Sequence, residues 1–215
     1  MTHSSTTPPA FAPTPGITVE LLSTPVPRLL FVLLHDAGGA AADMLALGNL
    51  LGDAFAQAAV LMPEGQAGLG SDPAEPGSAA ALARFVQSQQ QRFGVLQTDT
   101  ALAGFGKGAD LALALSDAHD GLVGRVLAFG AAYPSRPETF ATAPALTMLH
   151  LLHGQLDMRA PVMLARAGFQ RLVALGADAT LDVAATVGHE LHPALMDQAV
   201  TRLQTCVPLR HWRAA

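Results

Sequence analysis

Four short stretches hold the groups that could do chemistry: His35-Asp36-Ala37-Gly38-Gly39, Gly104-Phe105-Gly106-Lys107-Gly108-Ala109, His153-Gly154-Gln155-Leu156-Asp157 and Val187-Gly188-His189-Glu190. Asp157 and the later His189 supply an acid and an imidazole. In such a pair the carboxylate orients the imidazole and stabilises its charged form, as a general base requires. Gly104-x-Gly106-x-Gly108 has the frame of a nucleophile elbow, G-x-S-x-G, a sharp turn from strand to helix. The outer glycines let strand and helix approach closely. The centre is Gly106, so the elbow's shape is expected and its nucleophile is missing. Lys107 is the one lysine among 12 Lys and Arg. A cation beside free helix-start amides at a glycine-lined turn makes an anion site, suited to a carboxylate or phosphate ligand.

Strands and helices must bring these stretches together. Leu29–Leu34 is a continuous apolar run ending at His35, the pattern of a parallel strand buried on both faces. Apolar runs predict further strands over residues 58–62, 100–105, 125–129, 146–152 and 180–185, with 17–22 as an antiparallel edge. Helical spacing predicts helices over 40–55, 78–93 with Ser78 as N-cap, 107–119, 161–175 and 193–206, with Cys206 in the core. Residues 64–77 and 133–144 read as loops, and the Ser/Thr/Pro-rich residues 1–16 as a mobile tail. Strands alternating with helices predict one α/β domain over 17–215, a mostly parallel sheet with helices on both faces. In such sheets ligands bind at the carboxyl ends of the strands, and all four stretches stand there.

An elbow, then an acid, then a histidine is the chain order of α/β-hydrolases. In that fold the loop after His35 and the residue after the nucleophile supply the oxyanion-hole amides, here Ala37 and Lys107. Over about residues 29–206 the chain resembles the phospholipase/carboxylesterase family, related to acyl-protein thioesterases and dienelactone-hydrolase-like enzymes. Gly104-Phe105-Gly106-Lys107-Gly108-Ala109 is similar to the family's Gly-Phe-Ser-Gln-Gly-Ala. His153-Gly154-Gln155-Leu156-Asp157 is similar to its His-Gly-x-x-Asp, and Gly188-His189-Glu190-Leu191 to its Gly-His-x-Ile/Leu. The resemblance implies an α/β-hydrolase fold and hydrolysis of carboxylic esters or thioesters through an acyl-enzyme, with no cofactor. It implies Asp157 and His189 as the acid and the base, and Gly106 at the nucleophile's position.

Four departures set this chain apart. Gly106 replaces the serine, Lys107 the glutamine beside it, and His35-Asp36 the usual His-Gly pair. The loop before Ser78 lacks the aromatic residues of a pocket wall. Losing a triad serine costs about 10⁶ in turnover, with roughly 10³–10⁴ over water left from the rest of the site. Glycine also relieves the strain of the elbow's tip, worth roughly 1–3 kcal/mol. The neighbouring departures argue for a natural replacement. Retained activity would require His189 to act on a water held in the space that Gly106 leaves. The other reading is a binding protein that holds a small acidic ligand at the Gly106-Lys107 turn, with His35 nearby; as a structural residue, His35 is expected to support the oxyanion loop.

Composition narrows the remaining classes. Half of the 215 residues are hydrophobic and 13% are charged, which excludes intrinsic disorder. A net charge of −5 gives no basic surface for nucleic acid. The longest strongly apolar run, Leu29–Leu34, is far short of a membrane span of roughly 20 residues. A single cysteine and an N-terminus without a secretory pattern lead to a cytoplasmic expectation. His150 and His153 point to opposite faces of a strand, and His189 and His192 lack the i, i+4 spacing of a zinc helix, so no metal is expected. Gly104-x-Gly106-x-x-Ala109 also fits a dinucleotide fingerprint. The acid expected at the end of the next strand is absent from residues 126–130.

Overall fold

The computed structural model describes residues 17–64, 77–131 and 146–206. The expected tail, most of the two loops at 64–77 and 133–144, and the segment holding His211 and Trp212 lie outside the described residues. Seven strands form one sheet: β1 Ile17–Leu22, β2 Leu29–Leu34, β3 Ala58–Pro63, β4 Thr100–Phe105, β5 Arg125–Phe129, β6 Met148–Gly154 and β7 Ala179–Ala184. Their order is β1-β3-β2-β4-β5-β6-β7. The β1 strand pairs antiparallel with β3, and every other pair is parallel. This is the expected architecture, an α/β-hydrolase-like sheet with an antiparallel edge.

The helices are α1 Leu45–Ala54, α2 Ser78–Phe93, α3 Lys107–Ala118, α4 Val162–Ala174 and α5 Pro193–Thr205. Side chains along a strand alternate between faces, and β2 shows what that does. Leu30, Val32 and Leu34 belong to one core layer with Leu82 and Val86 of α2, Leu111 and Leu115 of α3, and Leu172 of α4. Phe31 and Leu33 pack with Leu47 and Leu51 of α1 and Leu195 and Ala199 of α5. Two apolar layers on one strand explain why the run is unbroken. Truncating a fully buried side chain such as Leu33 to alanine is expected to cost about 2–5 kcal/mol.

Differences from the expected elements have local causes. The first predicted helix begins as a tight 3-10 turn, Ala41–Met44, where the Asp43 carboxylate accepts from the Ala40 amide at 2.8 Å. Ser78 is not the cap of α2. Gly77 takes that place at φ 93°, and Ser78 is buried in the first turn. The β6 strand starts two residues late, because the Leu146 and Thr147 amides are bound by the Asp120 carboxylate at 3.0–3.1 Å. Cys206 is not core: it is half-buried at the C-cap of α5, and its carbonyl accepts from Arg125 at 2.9 Å.

The topology places the site. From β2 the chain crosses to β3 on one side, then returns to β4 on the other. The strand order therefore reverses between β2 and β4, and the crevice at such a switch point is where open α/β sheets bind ligands. Leu34 pairs with Gly104 in parallel register. Asp36 and Gly106 are each two residues further on, so the register alone brings them side by side.

Candidate active site

The turn from β4 into α3 keeps an elbow's geometry. Gly106 has φ 55° and ψ −117°, a conformation that L side chains rarely adopt, and its amide donates to the Phe129 carbonyl at 2.9 Å. A Cβ on Gly108 would strike the Leu34 and His35 carbonyls, and one on Gly104 would strike the backbone of Gly108. The outer glycines therefore permit the close approach expected of them.

The acid and the histidine meet as expected. Asp157, 3% exposed in the turn after β6, accepts through Oδ1 from the amides of Arg159 at 2.9 Å and Ala160 at 2.8 Å. Its Oδ2 lies 2.7 Å from His189 Nδ1. A carboxylate only accepts, so Nδ1 carries a proton and donates it. The Phe105 ring lies 4.7 Å from the His189 ring, tilted by 36°. On the other side Gly130 leaves room, since a Cβ there would sit 3.2 Å from His189 Cε1. His153 braces the acid turn, with Nε2 2.6 Å from the Ala160 carbonyl and 3.6 Å from Asp157 Oδ2.

The nucleophile's place is not empty. A Cβ on Gly106 would collide with the Asp36 carboxylate. Asp36 Oδ1 accepts from the Lys107 amide at 2.8 Å. Its Oδ2 lies 3.0 Å from Arg159 Nη1 and 3.7 Å from His189 Nε2. That nitrogen is buried and has no hydrogen-bond partner among the described residues. Burial opposes ionisation of Asp36, but the amides of Lys107 and Ala37, Arg159 and His189 outweigh it. Together they hold its carboxyl below the usual carboxylate range. The positive end of α3, whose own N-cap residue has no side chain, is thus capped by a carboxylate from the neighbouring loop.

Two expectations change on this observation. The anion site expected at Lys107 exists, but the chain's own Asp36 fills it. The space expected to hold a water beside Gly106 holds the same carboxylate. His35 supports the loop, as expected of a structural residue: its Nδ1 lies 2.8 Å from the Asp36 carbonyl and its Nε2 3.7 Å from Glu64, and it is not among the residues that line the cavity. A cavity of about 130 Å³ opens over the site, lined by Asp36, Gly106, Lys107, Asp110, Arg159 and His189 among others. The Lys107 ammonium leans back to Asp110 at 3.7 Å. Asp36 as an occupant and Arg159 as its partner were missed by the sequence reading. What brings Asp36 to position 106 is the Leu34–Gly104 pairing, a matter of register that the sequence does not show. Among the described residues, no group of three His, Cys, Asp or Glu side chains could hold a metal ion.

The model of the Phospholipase/Carboxylesterase family matches residues 76–207, a stretch that holds Gly106, Asp157 and His189. The chain belongs to the phospholipase/carboxylesterase family. It is 30% identical over 203 residues to esterase YpfH of Escherichia coli (strain K12), covering 86% of each chain. In fold it is similar to esterase PE8, with a TM-score of 0.73 at 23% identity, covering 89% of this chain and 100% of that one. It is also similar to the carboxylesterase of Bacillus cereus, with a TM-score of 0.69 at 15% identity, covering 86% and 92%. These likenesses agree with the mostly parallel sheet and its flanking helices.

Proposed function

We propose that this chain is a carboxylesterase-family protein of the cytoplasm, one hydrolase domain over residues 17–215, in which the serine route to carboxylic esters and thioesters is closed. The observation that carries the reading is the Asp36 carboxylate at 2.8 Å from the Lys107 amide, above a glycine. An acyl-enzyme needs a nucleophile at position 106 and two free amides for the developing oxyanion. Here the first is absent, and a full negative charge already sits on the second. What remains is the Asp157–His189 pair, with His189 Nε2 aimed at Asp36 rather than at a hydroxyl.

The same observation weighs against the acidic-ligand reading. An incoming carboxylate would have to displace Asp36 and share its surroundings with another anion. A dinucleotide's pyrophosphate meets the same obstacle at the same amide. Small neutral molecules suit the cavity better.

The test uses p-nitrophenyl acetate and butyrate with wild-type protein and a fluorophosphonate as a probe for an acyl-accepting serine. The expected result is no burst, no phosphonylation and turnover near the buffer rate. A burst of p-nitrophenol with phosphonylated protein would show that another hydroxyl serves as nucleophile.

A further inference from the structure

We propose that Asp36 is itself the nucleophile of this site, acting on small substrates with a leaving group on saturated carbon, such as a short haloalkane or an epoxide, through an aspartyl ester. The proposal rests on the reading that the serine route is closed.

A migrated nucleophile must satisfy three conditions, and Asp36 meets each. It must be ionised, and the amides and Arg159 favour its charged form. It must present an atom to the cavity. Oδ1 is held by the Lys107 amide, while Oδ2 faces Arg159 and His189. Arg159 is 65% exposed, so its ion pair can open to solvent easily. Finally, a base must stand where the covalent intermediate will need water, and His189 Nε2 is 3.7 Å from Oδ2 with no hydrogen-bond partner among the described residues.

The chemistry follows from which oxygen is held. In the first step a lone pair of Oδ2 attacks the saturated carbon. The new carbon–oxygen bond forms as the carbon–halogen bond breaks, and halide leaves with the electron pair on the side of the carbon away from Oδ2, into the cavity. For an epoxide the ring oxygen becomes an alkoxide that takes a proton from water, and the hydroxide left is neutralised by the proton that Asp36 releases after the second step. Displacement at saturated carbon builds no charge at the Lys107 amide, because halide or alkoxide forms on the far side of the carbon from Oδ2, so the occupied hole is no obstacle. Attack on an acyl carbonyl would need the amide that Asp36 already uses.

The second step uses what the serine enzymes use. The carbonyl oxygen of the aspartyl ester is Oδ1, already at the Lys107 amide. His189 Nε2 takes a proton from water, and the hydroxide adds to Cγ. The negative charge on Oδ1 is met by the Lys107 amide. Collapse breaks the Cγ–Oδ2 bond, and the alcohol leaves with Oδ2 and the proton from His189. Water oxygen stays on Asp36. For a haloalkane the sum is substrate plus water giving alcohol, halide and a proton.

The experiment exposes purified His189→Gln to bromoethane and, separately, to 1,2-epoxypropane, followed by peptide mapping. The expected result is a single ethyl or hydroxypropyl adduct on the peptide that carries Asp36, lost in Asp36→Asn/His189→Gln. An adduct with one probe alone assigns the leaving group. Wild type turned over once in ¹⁸O water should carry heavy oxygen in the Asp36 peptide and none in the alcohol. That readout stands even if His189→Gln fails to fold. Unmodified Asp36 in folded His189→Gln with both probes, or wild type without heavy oxygen in Asp36, overturns the proposal. The p-nitrophenyl ester assay run beside it separates the failures. A burst there sinks the closed-serine reading, whereas no burst and no adduct sinks only the role of Asp36.

Discussion

The two halves of the site have fared differently. On the acid–histidine side, Asp157 holds two amides and His189 at 2.7–2.9 Å, with Phe105 against one face of the ring and Gly130 clearing the other. A working general base would require the same arrangement. On the elbow side, the backbone keeps its turn at φ 55°, but the side chain has moved from position 106 to position 36 on the next loop. The difference teaches that the two unusual residues are one change. Asp36 fits only because Gly106 has no Cβ, and Gly106 leaves no void only because Asp36 is there.

That coupling makes a sharp claim about activity. Gly106→Ser alone should give almost no esterase, because the new side chain meets Asp36 and the hole stays blocked. Asp36→Gly/Gly106→Ser should hydrolyse p-nitrophenyl butyrate on the order of 10³-fold faster or more, as a restored triad serine implies. Equal activity in the single and double variants would break the comparison between the halves. Next in size, Asp157→Asn in that double variant should lower kcat by about 10²–10⁴, since the imidazole loses its orientation and tautomer. A drop below tenfold would mean that the acid side is scaffolding only.

Stability gives smaller effects. Gly106→Ser should lose roughly 1–3 kcal/mol in urea unfolding from its positive φ, before any clash. Adding Asp36→Gly should recover the clash but not the strain. For pH, the folded-state pKa of Asp36 is depressed, so its contribution is present above the unfolded value of about 3.9 and lost as pH falls through the folded one. The stability gap between wild type and Asp36→Asn should therefore close only below about pH 4. His150, outside the cavity, is the control. Burial, with Arg125 and Arg202 adding to it, lowers its pKa to about 3. Its contribution is complete above about 6.5 and is lost towards 3, with a slope of at most about 1.4 kcal/mol per pH unit. His150→Gln should flatten that window and leave the Asp36 window unchanged.

Much of this was legible in the sequence. The central strands β2 to β6 were readable because each is buried on both faces and so is mostly apolar, and the chain order of Gly106, Asp157 and His189 placed them along the strand ends. What was not legible depends on register and on side chains crossing between loops. Asp36 looked like a departure in an oxyanion loop; only the pairing of Leu34 with Gly104 turns it into the occupant of the elbow. The late start of β6 had the same kind of cause, a carboxylate from another turn capturing the Leu146 and Thr147 amides. Ser78 failed as a cap because glycine preceded it, and a cap is chosen by backbone conformation as much as by side chain.

One lysine in the chain allows the central claim to be tested directly. Selective ¹⁵N-lysine labelling gives a single backbone amide resonance, that of Lys107, the group that Asp36 is said to occupy. The account predicts a downfield amide proton at neutral pH, as for a hydrogen bond to a carboxylate. It should move upfield in Asp36→Gly and, in wild type, as Asp36 protonates at a pH below the ordinary carboxylate range. A Lys107 amide whose position is the same in wild type and in folded Asp36→Gly would contradict it.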